Sequence, residues 1–309
     1  MLMLKAAALA VASFAGVQVM SAGVDGNAKA PAATAAYTKQ IADWRARRVE
    51  RLQAPGGWTS LVGLHWLKDG AHSIGSGKDN DVVLAVGPAT LGKLTLKRGK
   101  VRIELDPAAN ATIDGKSAKA ASLNDDSKGK PTTVAFGTAS FYVIERGGKY
   151  ALRVKDSEAA TRKHFAGIDN FPVDPSWRVE AKWKPSKAGR MLDIPNVLGT
   201  VEKMPVPGEA TFTRGGKTYT LLPVLETPDA KELWFIFADR TSGKQTYGAG
   251  RFLYADMPGK DGVVVIDFNK AYNPPCAFTP HATCPLAPPE NRLDLEVSAG
   301  EKKYAGSGH

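Results

Sequence analysis

The sequence predicts a mainly β protein with one N-terminal amphipathic helix, a first β-module, and a second β-module carrying a long loop rich in proline and cysteine. Three observations predict it. Near the N-terminus, apolar residues recur at helical spacing between positions 37 and 53. From position 58 onward, short apolar and β-branched runs alternate with Gly, Asp, Asn or Pro every several residues, the pattern of antiparallel sheets. Hydrophobic residues make up 43% of the chain, enough to build cores and to exclude disorder as its class.

Taken in order, residues 1–23 carry one charge, Lys5, then an alanine-rich apolar run that ends in small residues. That is the layout of a secretory signal peptide, so the expected destination is export, to the periplasm or beyond the cell. The apolar run is too short to favour a stable membrane span, and none is expected after cleavage. Residues 24–36, rich in Ala, Pro and Gly, read as a flexible linker. The helix follows over 37–55, with Ile41, Trp44, Val49 and Leu52 on its apolar face. Arg45, Arg47, Arg48 and Arg51 crowd the other turns and read as a solvated face, and Pro55-Gly56-Gly57 ends the helix.

The first β-module spans 56–164, with strands expected over 60–66, 81–86, 92–96, 101–105, 132–136, 141–145 and 150–154. The second spans 165–309, with strands over 177–183, 210–213, 218–224, 233–237, 252–254, 263–266 and 293–297. Between them, strand signals lapse over 156–175 while charge, Gly and Pro take over. Gly147-Gly148 and Gly215-Gly216 mark two tight hairpins. Residues 233–237, LWFIF, are apolar on both faces and belong inside a sheet or barrel.

The net charge of +10 is uneven: residues 24–204 hold 29 Lys/Arg against 19 Asp/Glu, while residues 205–309 hold 11 against 12. The lysines are scattered singly along alternating strands, without a zinc finger, an aromatic RNA-binding signature or a recognition helix. No nucleic-acid partner is therefore expected. Oligomeric state is not legible.

Two resemblances add to this. Ile74-Gly75-Ser76-Gly77, Asn80 to Leu84, Ala111 to Gly115 and Val134 to Gly137 are spaced as in a forkhead-associated-type (FHA-like) β-sandwich. The position after the first glycine, where that family carries an arginine for phosphothreonine, is Ser76 here. The larger resemblance is to DUF1684, a bacterial family of unknown function. It is carried by Gly57-Trp58, Trp66-Leu67, Arg153, Asp156, Phe171-Pro172, Asp239, Thr246-Tyr247, Gly250 to Leu253, Asp267-Phe268-Asn269, Asn273 to Cys276, Cys284-Pro285, Glu290-Asn291-Arg292 and Gly300-Glu301. The resemblance implies a shared fold and a shared C-terminal site, with no reaction or cofactor attached.

That site is the segment from Asp267 to Arg292. Cys276 and Cys284 are the only cysteines, eight positions apart, and in an exported chain they read first as a disulfide bracing a proline-stiffened loop. The alternative is zinc held by Cys276, His281 and Cys284, although this spacing fits no standard motif; otherwise no cofactor is expected. Asp267 and Glu290 are candidate general bases with Arg251 beside them, and Asp239, Tyr247, Asn269, Asn273 and Arg292 are candidate ligand contacts. Trp58, Trp66, Trp177, Trp183 and Trp234 are the residues that could line a sugar-binding cleft. The sequence favours a ligand-binding or interaction protein for a small anionic or glycan-like molecule. A hydrolase using Asp267 or Glu290 with Arg251 or Arg292, with or without a metal ion, is the second reading.

Overall fold

The computed structural model describes residues 29–306, so the expected signal peptide lies outside the described residues. Helix α1 (Lys29–Gln53) starts within the segment expected as a linker. Its first turns are alanine-rich, and Pro31 sits near the start, where a missing N–H costs nothing. The reading of its arginines as a solvated face holds for Arg47 and Arg51, which are exposed, but is corrected for Arg48, which is 9% exposed and faces inward with Ile41 and Leu52.

The N-terminal module contains β1 (Leu61–Trp66), β2 (Gly70–Gly75), β3 (Val82–Val83), β4 (Gly92–Lys97), β5 (Lys100–Leu105), β6 (Thr112–Ile113), β7 (Ala120–Leu123), β8 (Thr133–Phe136), β9 (Ala139–Arg146) and β10 (Lys149–Asp156). They form two five-stranded sheets, ordered β1-β10-β9-β8-β6 and β3-β2-β4-β5-β7. Both sheets contribute to one core, with Leu94, Ile103, Val134, Phe141 and Leu152 fully buried between them. Leu152 and Val154 point into this core, so Ala151 and Arg153 fall on the outer face of the first sheet. That outer face is covered rather than solvated, because Ile144 and Ala151 are also fully buried.

After the short helix α2 (Ala160–Lys163), the C-terminal module contains β11 (Arg178–Pro185), β12 (Met191–Pro195), β13 (Val201–Pro205), β14 (Gly208–Arg214), β15 (Lys217–Leu221), β16 (Glu232–Phe237), β17 (Arg251–Asp256) and β18 (Val263–Asp267). A four-stranded sheet, β15-β14-β11-β18, and the β12-β13 hairpin lie on either side of the β16-β17 ribbon. Residues Leu233, Phe235 and Phe237 enter the core beneath the four-stranded sheet, whereas Trp234 and Ile236 enter the one beneath the hairpin. The two-faced apolar run is thus the middle layer between two cores. Among the described residues no sheet closes into a barrel. The β14-β15 turn has φ +57° at Gly215 and +75° at Gly216, the doubly positive geometry that glycine supplies for a tight hairpin.

Strands β2, β6, β7, β12 and β13 were not expected, being short or mixed in polarity. One expected strand, 293–297, is irregular instead. Its apolar residues are buried as the alternation requires, but Val297 and Ala299 give their carbonyls to a guanidinium rather than to a neighbouring strand.

Candidate functional site

The polar residues singled out in the C-terminal segment form a buried frame. Arg251 at the start of β17 is fully buried and pairs with Asp239 Oδ2 at 2.8 Å, both side chains having no exposure. It also donates to the carbonyls of Val297 at 2.9 Å and Ala299 at 2.5 Å. The other Asp239 oxygen accepts from the backbone and hydroxyl of Thr241 and from Val297 N. Asp239 and Arg251 are therefore consumed by structure and are not free to meet a ligand.

Asn269 and Asn273, both fully buried, close the same frame. Asn269 Nδ2 donates to Asp174 O and to the Tyr37 hydroxyl, whose own proton goes to Asp267 Oδ1 at 2.8 Å. Burial first, and then the hydrogen bond to Asp267, raises the Tyr37 hydroxyl pKa well above its ordinary value. Asn273 donates to Lys302 O, while its N–H donates to Glu301 Oε2 at 2.7 Å. Glu301 is 1% exposed and meets Arg48 Nε at 3.1 Å. Burial pushes the Glu301 carboxyl up, and Arg48 opposes the shift. Gly300 enables this turn: its φ is +78°, and a Cβ there would lie 2.4 Å from Ala271 O.

Glu290 and Arg292 are exposed, at and just beyond a short 3-10 turn, so Asp267, Glu290 and Arg251 are not gathered at one surface. Tyr247 is half-buried beside the cysteines, its hydroxyl pushed up to about 12 chiefly by burial. Cys276 and Cys284 are unbonded but interlocked: each backbone N–H donates to the other's sulfur, at 3.1 and 3.3 Å. The hydrogen bond from Cys284 pulls the Cys276 thiol below its ordinary value, with Arg153 adding to it, whereas burial pushes Cys284 up. Among the described residues, Cys276, His281 and Cys284 do not form a three-ligand metal group.

Beside this frame lies a cleft of about 900 Å³, walled by α1, the outer face of the first sheet, β17 and the Pro/Cys loop. Trp58, Arg153, Arg48, Tyr254 and Tyr272 line it, along with the edge of Asp267. Trp234, Tyr254 and Tyr272 stack in series, at interplanar angles of 13° and 16°. The Arg48 guanidinium caps this stack 4.6 Å from the Tyr272 ring. Its charge is matched by Glu301.

Arg153 is different. It is 4% exposed, yet its partners are neutral: the Tyr142 hydroxyl at 3.3 Å, the Thr283 hydroxyl at 3.2 Å and the Trp58 ring at 5.2 Å. Its Nε is buried without a partner, and no carboxylate among the described residues pairs with it. Lys155, further along the same outer face, adds positive charge, and burial followed by Arg153 pulls its ammonium pKa down. Arg153 thus brings to the cleft a guanidinium with no direct carboxylate partner, while Glu226, Glu232, Asp256 and Asp267 line other parts of it.

Sequence reading missed Arg153 as a site residue because alternation along β10 places it opposite the core, where an arginine ordinarily meets water. The signal was in its neighbours: Tyr142, Ile144 and Ala151 share that outward face and are aromatic or apolar. Of the tryptophans, Trp58 and Trp234 line the cleft, whereas Trp177 is core.

A β-rich C-terminal module with a buried polar frame is thus joined to a separate N-terminal sandwich and a bridging helix. Residues 163–302 match the model of a family described as Protein of unknown function (DUF1684), confirming over that segment the resemblance read from the sequence. Trp58, Arg48 and Arg153 lie outside the matched residues, so the cleft forms where the family segment meets the rest of the chain. No curated protein matches the chain. Among solved structures, it is similar to the solution NMR structure of an uncharacterized protein from gene locus rrnAC0354 of Haloarcula marismortui. The identity is 28% and the TM-score 0.39, covering 46% of this chain and 78% of that one.

Proposed function

We propose that this protein is an exported binding protein whose cleft holds an anionic, glycan-like molecule, with Arg153 meeting the negative charge. The observation that carries this reading is the buried Arg153 guanidinium, which has only neutral partners and lies against the face of Trp58. A carboxylate or phosphate on the ligand would supply the missing counter-charge, and the aromatic wall would take the apolar face of a sugar ring. The leader-like layout of residues 1–23 supports export. In an oxidising compartment the interlocked Cys276 and Cys284 would join as a disulfide, holding one wall of the cleft.

Thermal-shift measurements against acidic and neutral monosaccharides test the binding reading. Acidic sugars are expected to raise the melting temperature of the wild type but not of Arg153→Gln. A wild-type protein that no acidic sugar stabilises, or a variant stabilised equally, overturns it. Thiol titration with metal analysis tests the brace: no free thiol and no zinc are expected in the exported protein.

A further inference from the structure

A second cavity of about 620 Å³ lies beyond the first, between the edge of the N-terminal sandwich and the turn joining β12 to β13. Trp66, Tyr150, Lys149 and the single carboxylate Asp69 line one side, with Leu198 and Thr200 on the other. Trp66 is 39% exposed, unusual for so large an apolar ring.

The two cavities are linked in two ways. On one side Arg146 lines each of them. Its guanidinium is held by both oxygens of Asp126, at 2.9 and 2.8 Å, and is still 30% exposed. Three of its N–H donors are engaged, counting the one to Glu145 O, so it forms a fixed sill with donors remaining. On the other side, Cys284 lines the first cavity and accepts from Val197 N at 3.1 Å through its carbonyl. The turn carrying Leu198 and Thr200 therefore hangs from the wall of the first cavity. Asn196 makes that turn rigid by accepting from Leu198 N at 2.9 Å and donating to Thr200 Oγ1 at 2.7 Å.

We propose that the two cavities form one groove, and that its ligand is an acidic oligosaccharide whose chain runs from Arg153 over the Arg146 sill to stack on Trp66. This rests on the binding reading above and specifies its ligand as a chain. The first cavity alone already approaches the upper range for a single small molecule, so a second adjoining it through Arg146 suits a longer one. A rim tryptophan beside Lys149, Arg146 and Thr200 suits alternating sugar faces and acidic groups. A lipid chain would instead leave these polar groups without partners.

The test is calorimetric titration with uronic-acid oligomers of one to six units. Affinity is expected to rise about tenfold once the oligomer is long enough to reach Trp66. Trp66→Ala should remove that increment and leave the shortest ligands unaffected, while Arg153→Gln should weaken every length. Thr200→Trp, which fills the second cavity from the opposite wall, should reproduce the Trp66→Ala result. Binding that is independent of length, or an equal loss for short and long ligands in both second-cavity variants, overturns the groove but leaves the Arg153 site standing. Wild-type protein that binds no length overturns both.

Discussion

Arg251 and Arg153 are both buried arginines, and their surroundings differ in kind. Arg251 meets a carboxylate and two backbone carbonyls, so its charge is matched within the fold even though its Nε is buried without a partner. Arg153, whose Nε is likewise unpartnered, meets two hydroxyls and an aromatic ring, leaving its charge unanswered at the wall of a cleft. The first is how a fold fixes its loops, and the second is the arrangement on which the proposed binding rests. Burial of a charged group therefore separates neither role from the other; the chemistry of its partners does.

This contrast can be broken by substitution, and the largest effect belongs to the frame. Arg251→Met should cost about 3–5 kcal/mol of stability, because it strands Asp239 in the core together with the carbonyls of Val297 and Ala299. Urea denaturation reads this directly, and a loss below about 1 kcal/mol would remove Arg251 from the frame. Arg153→Gln should reverse the pattern. Ligand affinity should fall by about 1.5–3 kcal/mol, while stability drops by no more than the roughly 2 kcal/mol of its buried contact with Trp58.

A smaller effect concerns the cysteines. With its pKa lowered in the fold, Cys276 becomes a thiolate at lower pH than a free cysteine does, while Cys284 is shifted in the other direction. In reduced protein, iodoacetamide should therefore modify Cys276 first, and the pH at half-maximal rate should fall below that of an ordinary thiol. Peptide mass mapping that found Cys284 modified first would contradict the arrangement. The smallest effect is expected at Glu290→Gln, an exposed change that should shift stability by no more than about 0.5 kcal/mol and leave ligand affinity unchanged.

The sheet architecture was legible because strand signals are local: β-branched runs, Gly-Gly turns and the two-faced run at 233–237 report on their own neighbourhoods. The segment from Asp267 to Arg292 stood out for its density of Asp, Asn and Pro, and that density has a structural cause. Asn269, Asn273 and Asn291 replace sheet hydrogen bonds where the chain is irregular yet buried; Asn291, for example, serves both the N–H and the carbonyl of Leu222. The cleft was not legible because it is assembled from α1, β10, β17 and the loop, and no local pattern records that these elements meet. Arg48 shows the limit most plainly. Its helical position among other arginines says surface, and only the distant Glu301 makes it interior.

Helix α1 is anchored by residues far along the chain from it. Tyr37 waits for Asp267, 230 positions later, and Arg48 for Glu301, 253 positions later. Closing such long loops is slow, and until then the helix has an unmatched inward arginine and an exposed apolar stripe. The wall of the cleft that Arg48 supplies is thus held by contacts spanning most of the described chain, so loss of Glu301 would strand a buried guanidinium at that wall.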